Sequence, residues 1–155
     1  MKISALLAAM LALVIWSGAP PAAAAGAAVA EINIDQDSNL AIRGYDPVAY
    51  FESGKPTKGK PEFSFIWKNA KWVFSSAENR DTFKADPLAY APQFGGYCAY
   101  GAAHGHVADG DPEAWQIHKG KLYLNLNARV HEVWQSQIDG NIAAGDAKWP
   151  ELVQQ

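Results

Sequence analysis

Polar and apolar residues alternate along two stretches of the chain, and each stretch predicts a β-hairpin. In the first, every second residue of 63–67 is aromatic, and the Trp-Val-Phe run at 72–74 resumes the apolar pattern after the turn segment KNAK. In the second, residues 115–118 and 121–124 flank Lys119 and Gly120. A Lys-Gly pair between two such strands is typical of a two-residue hairpin turn.

Helix start signals lie between and after these strands. Asp46 and Asp86 each precede a proline, and this pairing of an N-cap residue with Pro at the first helical position predicts one or two helical turns at each place. Ser75 begins a Ser-x-x-Glu capping box, which predicts a helix over residues 76–84. Asn127 precedes apolar residues at helical spacing and predicts a further helix.

The remaining segments complete the predicted architecture. Residues 53–62 and 101–114 are rich in Gly, Pro and small residues and predict exposed loops, while residues 142–152 predict a last short helix. The whole pattern predicts an α+β domain, in which a small antiparallel sheet built from two β-hairpins has short helices packed on it.

The first thirty residues have the pattern of a secretory signal peptide. A basic start at Lys2 precedes an apolar run of 14 residues at 3–16, and small residues follow. Because the run is shorter than the roughly 20 residues that a membrane-spanning helix needs, we expect cleavage, after Ala30 or after Ala25, and no stable membrane anchor afterwards. Residues 31–155 then form a single domain that is periplasmic or secreted.

Composition limits the partners and the source of stability. The formal net charge of −3 at pH 7 argues against a nucleic acid partner. A single cysteine cannot form an internal disulfide, so packing must stabilise the fold. We expect much of that packing to come from the five tryptophans that follow residue 30, namely Trp67, Trp72, Trp115, Trp134 and Trp149.

Candidate chemistry is concentrated in residues 94–106, FGGYCAYGAAHGH. Cys98, His104 and His106 are soft ligands of the kind that bind copper or zinc. The two histidines flank one glycine, so in an extended backbone their side chains point to the same side. Tyr97 and Tyr100 flank the cysteine, where we expect them to pack beside it and to line any ligand pocket.

Other roles for these residues remain open. Cys98 can equally be a small buried hydrophobic residue or a reactive thiol, and the histidines can be plain loop residues. No catalytic residue is predicted, because Asp109 and Asp111 lie in the turn-forming segment ADGDP. The sequence carries no nucleophile elbow, phosphate-cradling loop or His-Glu-x-x-His motif.

Four ordered motifs resemble the YHS domain family in its secreted, bacterial, single-domain form. They are GYDPVAYF, WVFSSAENRDTFKADPLAY, FGGYCAYG and DGDPEAWQI followed by KLYLNLN. Other members occur beside copper-transporting ATPase modules and in some oxygenase subunits, which implies a link to metal handling. In the metal-linked members the resemblance leads us to expect three cysteines, at the places held here by Ala49, Ser75 and Asn79. It therefore implies the family fold without its thiolate pocket, with Ser75 serving as a helix cap.

These observations give three hypotheses. The first is an exported, non-catalytic YHS-domain protein that binds a copper-like metal ion or a small ligand near Cys98, His104 and His106. The second is a thiol-based redox protein or enzyme that uses Cys98. The third is a partner-binding module, with an unknown protein partner, in which Cys98 is simply buried.

Overall fold

The computed structural model describes residues 29–153, so the predicted signal peptide lies outside the described residues except for its last two. No helix within 29–153 combines the length and the apolar composition needed to cross a bilayer. The strands are β1 (Lys60–Trp67), β2 (Ala70–Phe74), β3 (Asp111–His118) and β4 (Lys121–Asn125). The α-helices are α1 (Ala49–Glu52), α2 (Ala77–Ala85), α3 (Pro87–Tyr90), α4 (Ala99–Ala103), α5 (Ala128–Gln135) and α6 (Ile138–Leu152), with short 3-10 turns at Ile42–Gly44 and Gln93–Gly96.

The strands form two antiparallel hairpins, and the predicted α+β fold with short helices is confirmed. β1 pairs with β2 and β3 pairs with β4, each as a separate two-stranded sheet. Lys119 and Gly120 both have positive φ, at 49° and 75°, and so do Lys68 and Asn69 at the other turn, at 49° and 58°. Positive φ at both central residues characterises the turns that match the twist of hairpin strands.

Aromatic rings form the core in two clusters. In the first, Trp72 and Phe74 on β2 lie 5.1 Å and 5.2 Å, centroid to centroid, from the ring of Phe83 on α2. In the second, Trp134 on α5 packs 5.3 Å from Tyr123 on β4. Trp72 and Trp134 are fully buried, whereas Trp67, Trp115 and Trp149 are only partly buried. The tryptophans therefore contribute to the core unequally.

The main departure from the predicted elements is α4, which forms at the start of the predicted loop 101–114. Its alanines Ala99, Ala102 and Ala103 are all buried, and they allow α4 to pack closely on α6. The small residues that predict a flexible loop therefore form a helix instead, and their size allows that helix to lie close to α6. β1 and β3 also begin earlier than predicted, at Lys60 and Asp111, where each hairpin register shifts at an irregularity.

Two glycines of α6 should respond oppositely to alanine. A Cβ at Gly140 would meet nothing within 4 Å, whereas a Cβ at Gly145 would lie 2.7 Å from Cζ of the Phe94 ring. We expect Gly140→Ala to raise the free energy of unfolding by about 0.5 kcal/mol, since alanine is the better helix former. Gly145→Ala should lower it by about 1–3 kcal/mol, because the packed ring must shift. Urea unfolding monitored by tryptophan fluorescence checks both, and equal effects would contradict the packing described here.

Candidate functional site

Cys98 lies at the junction of α4 and β4 and is 2% exposed. Its backbone N–H donates to the carbonyl of Ala108 at 2.8 Å. Its sulfur accepts the N–H of Gly101 at 3.4 Å and the N–H of Leu126 at 3.2 Å. The sulfur thus caps the first turn of α4 and ties that turn to the end of β4, which is a structural use of the thiol.

His104 and His106 lie on the surface beyond α4. Nδ1 of His104 is 2.9 Å from the carbonyl oxygen of Tyr100, and the two rings lie 4.2 Å apart, centroid to centroid. Gly105 has a φ of 73°, and the N–H of His106 returns to the carbonyl of Gly101 at 2.9 Å. The backbone here is not the extended one in which both imidazoles would point to one side, because these residues form a helix-terminating turn.

The predicted metal ligands are not grouped as a metal centre. In the part of the chain that the structure describes, no three His, Cys, Asp or Glu side chains are placed to share a metal ion. The sulfur of Cys98 is engaged by backbone amides, while His104 and His106 are exposed to solvent. The prediction of copper or zinc bound by these three residues therefore gains no support from their geometry.

Asn125 is a buried residue that the sequence pattern did not predict as part of a site, and its side chain lies between the Cys98 sulfur and the imidazole of His131. Oδ1 of Asn125 lies 3.8 Å from the Cys98 sulfur and accepts the N–H of Tyr100 at 3.1 Å, and Nδ2 lies 3.2 Å from Nδ1 of His131. Burial lowers the pKa of His131, which favours the neutral ring that can accept from this amide. Because an amide stands between thiol and imidazole, the arrangement lacks the direct contact of a nucleophile with its base.

The burial of Cys98 predicts slow reaction with thiol reagents. We expect the native protein to react with a disulfide reagent about 100-fold more slowly than the urea-unfolded chain, because the thiol must first be exposed by local opening. A Glu132→Cys variant in a Cys98→Ser background supplies an exposed thiol on α5 as the control. Equal labelling rates for Cys98 and the control cysteine would show that the thiol is reachable in the folded state.

Asp46 is a second buried polar centre, with a fully buried carboxylate. Oδ1 accepts the N–H of Val48 at 2.9 Å and the N–H of Ala49 at 3.3 Å, but α1 begins at Ala49, two residues after the predicted first helical position at Pro47. Oδ2 accepts the N–H and the hydroxyl of Ser75 at 2.8 Å and 2.6 Å, and Nδ2 of Asn79 at 2.7 Å. Five donors therefore replace the water that this carboxylate loses on burial.

The three positions at which the family resemblance predicts cysteines all meet at this carboxylate. Ala49 offers its backbone N–H, and Ser75 and Asn79 offer side chains that also lie 3.2 Å from each other. The prediction that Ser75 caps α2 is wrong by one residue, since Ser76 accepts the N–H of Asn79 while the Ser75 hydroxyl donates to Asp46.

Removing the negative charge of Asp46 should destabilise the fold. Asp46→Asn places an amide NH₂ where N–H donors now point, and we expect the free energy of unfolding to fall by about 2–4 kcal/mol. Asp81→Asn, at an exposed position on α2, should change it by less than about 0.5 kcal/mol. Urea titration of both variants checks this, and a loss at Asp46 no larger than that at Asp81 would refute it.

A polar cavity with a volume of about 570 Å³ has Tyr97 among its lining residues. Residues 33–37 form one wall, and Arg43, Tyr97 and Asp109 complete it. We call this the Tyr97 cavity. The N–H of Asn33 donates to the carbonyl of Gly95 at 2.9 Å, so the wall is attached by its backbone to the segment that carries Tyr97.

Tyr97 places an unpaired hydroxyl at the Tyr97 cavity. The residue is only 9% exposed, and its hydroxyl makes no hydrogen bond to any residue from 29 to 153. Burial, and then the negative charge of Asp109, raises the pKa of Tyr97, so the phenol stays neutral and keeps its proton for donation. The guanidinium of Arg43 is 3.9 Å from a carboxylate oxygen of Asp109.

The other predicted pocket residue, Tyr100, does not share this cavity. It lines a separate cavity of about 140 Å³ together with His104. The prediction that Tyr97 and Tyr100 line one pocket beside Cys98 is therefore corrected. They are three residues apart across the start of α4, and their side chains line different cavities.

Comparison with known proteins gives no further information on the function of this site. No protein-family model, curated protein or solved structure matches this chain. The resemblance to YHS domains therefore stays a prediction that rests on the four sequence motifs. The function has to be argued from the residues themselves.

Proposed function

We propose that this chain is an exported, non-catalytic binding protein of the YHS type that takes a small polar ligand into the Tyr97 cavity. The observation that carries the proposal is the cavity itself. Its volume of about 570 Å³ is in the range of small-molecule sites, and charged, amide and phenol groups converge on it. Export follows from the signal-peptide pattern of residues 1–30, and the ligand is accordingly one met outside the cytoplasm.

The cavity is suited to binding because its main wall is held by backbone hydrogen bonds. Besides the bond from Asn33 to Gly95, the N–H of Asp35 donates to the carbonyl of Leu40 at 3.0 Å, and the N–H of Ile42 donates to the carbonyl of Asn33 at 3.3 Å. A wall fixed in this way requires little ordering when a ligand enters, so less of the interaction energy is lost.

The alternatives based on Cys98 have weaker support. Its sulfur is buried and accepts two backbone N–H groups, which disfavours a nucleophile or a redox sensor that must be reachable. A metal role for Cys98 with His104 and His106 lacks a grouped ligand set among the described residues. A partner-binding module remains compatible with a buried Cys98, but it does not account for the polar cavity that Tyr97 lines.

A ligand screen observed by NMR tests the proposal. We expect some members of a panel of small cationic, neutral and anionic polar compounds to shift the amide signals of residues 33–37 and Tyr97. Tyr97→Phe should weaken that binding about 3–10-fold, because it removes a hydroxyl that can both donate and accept a hydrogen bond. Tyr100→Phe is the matched control, since that residue lines the other cavity, and it should leave the affinity unchanged.

Two outcomes would contradict the proposal. The first is a panel in which no compound shifts the signals of residues 33–37. The second is binding of Cu(I) or Zn(II) that shifts the signals around Cys98 and disappears in Cys98→Ser, which would favour the metal-binding hypothesis.

A further inference from the structure

We propose that the ligand of the Tyr97 cavity is a small organic cation that carries two ammonium or guanidinium groups. The inference rests on the proposed function and specifies its ligand class. It follows from the balance of charges around the cavity and from two lining side chains, Tyr97 and Asn33, whose oxygens reach solvent and accept no hydrogen bond from a described residue.

The charge around the cavity is negative. The carboxylates of Asp35, Asp37 and Asp109 line it, and the guanidinium of Arg43 is the only cationic side chain among its described lining residues. Arg43 meets Asp109 at 3.9 Å, at the limit of an ion pair, and both side chains are largely open to water. Two negative charges are therefore left without a compensating cation, and a ligand with two positive charges would balance them.

The uncompensated carboxylates have free acceptor positions. Oδ1 of Asp35 accepts the N–H and the hydroxyl of Ser38 at 2.8 Å and 2.7 Å, while its second oxygen accepts no hydrogen bond from a described residue. These bonds lower the pKa of Asp35 and keep it ionised. Asp37 makes no side-chain hydrogen bond or ion pair within residues 29–153 and offers both oxygens. Carboxylates of this kind form charge-assisted hydrogen bonds with N–H donors.

Two neutral side chains add solvent-reachable acceptor oxygens to the same cavity. The hydroxyl oxygen of Tyr97 is unpaired, as described above. Asn33 is 8% exposed, and its Nδ2 makes one long bond of 3.4 Å to the carbonyl of Gly96, while its Oδ1 accepts no hydrogen bond from a described residue. A ligand that brings N–H groups can replace the water that reaches these oxygens.

Other ligand classes fit these groups less well. An anion would approach two uncompensated negative charges and would have Arg43 as its single cationic partner. A neutral polyol can bond to the Tyr97 and Asn33 oxygens, but it would leave the charges of Asp35 and Asp37 unbalanced. A dication satisfies both the charge and the hydrogen-bond acceptors.

Three probes of matched length test this inference by titration calorimetry on the exported protein. They are 1,4-diaminobutane, 1,4-butanediol and succinate, which share a four-carbon chain and differ in charge. At low ionic strength we expect the diamine to bind at least about 10-fold more tightly than the diol or the dicarboxylate. Raising the salt concentration to about 0.5 M should weaken the binding, because it screens these exposed charges.

Asp37→Asn is the most informative variant. Asp37 is exposed and makes no side-chain hydrogen bond to a described residue, so its substitution should leave the fold intact. We expect the affinity for 1,4-diaminobutane to fall about 3–10-fold in Asp37→Asn, which corresponds to the loss of one charge-assisted bond. Asp81→Asn removes the same charge on α2, away from the cavity, and should not change the affinity. Urea unfolding of both variants verifies that each remains folded.

The outcomes separate this inference from the proposed function. If succinate or butanediol shifts the signals of residues 33–37 and the diamine does not, the ligand class is wrong and the binding function stands. If the diamine binds but Asp37→Asn and Asp81→Asn weaken it equally, the effect is one of overall charge and the inference is overturned. If no probe and no member of the wider panel reaches the cavity, both fail.

Discussion

The buried carboxylate of Asp46 is the interaction on which the first half of the structure depends. It joins the start of α1 to the end of β2 and to the first turn of α2, whose donors lie 29 and 33 positions further along the chain. A buried charge is tolerated only where donors surround it, so the backbone at all three places has to keep its conformation for the fold to persist. The positions at which the resemblance leads us to expect cysteines in metal-linked members coincide with these donors, and in this chain they form a hydrogen-bond network instead.

Cys98 has a corresponding role in the second half of the chain. Its sulfur accepts N–H groups from α4 and from the residue that follows β4, and Asn125 extends the connection to His131 on α5. A thiol that holds three elements together is committed to the fold. Cys98, the candidate metal ligand or nucleophile of the sequence, thus has a clear structural role and no geometry that indicates an activity.

Local patterns made the hairpins and most helix starts predictable. Aromatic alternation and two-residue turns specify β1 to β4 through neighbouring residues alone, and Asp-Pro pairs mark helix starts in the same way. By contrast, Asp46 and Ser75 meet across 29 positions, and Asn33 meets Gly96 across 63. Nothing in the periodicity of the chain encodes such pairings. The Tyr97 cavity was missed for this reason, since its acidic wall looks in sequence like a surface-running lead-in.

The segment before the wall, at Glu31, packs against Gly95, and the wall itself is hydrogen-bonded to Gly95 through the N–H of Asn33. A Cβ at Gly95 would lie 1.8 Å from the carbonyl oxygen of Glu31, and its φ of 60° suits glycine. The contact at Gly95 therefore involves main-chain atoms, while the side chains of Gln36 and Asp37 on the wall are exposed. A wall of this kind can adapt to a different ligand through substitutions at these two positions, with the scaffold beneath them unaltered.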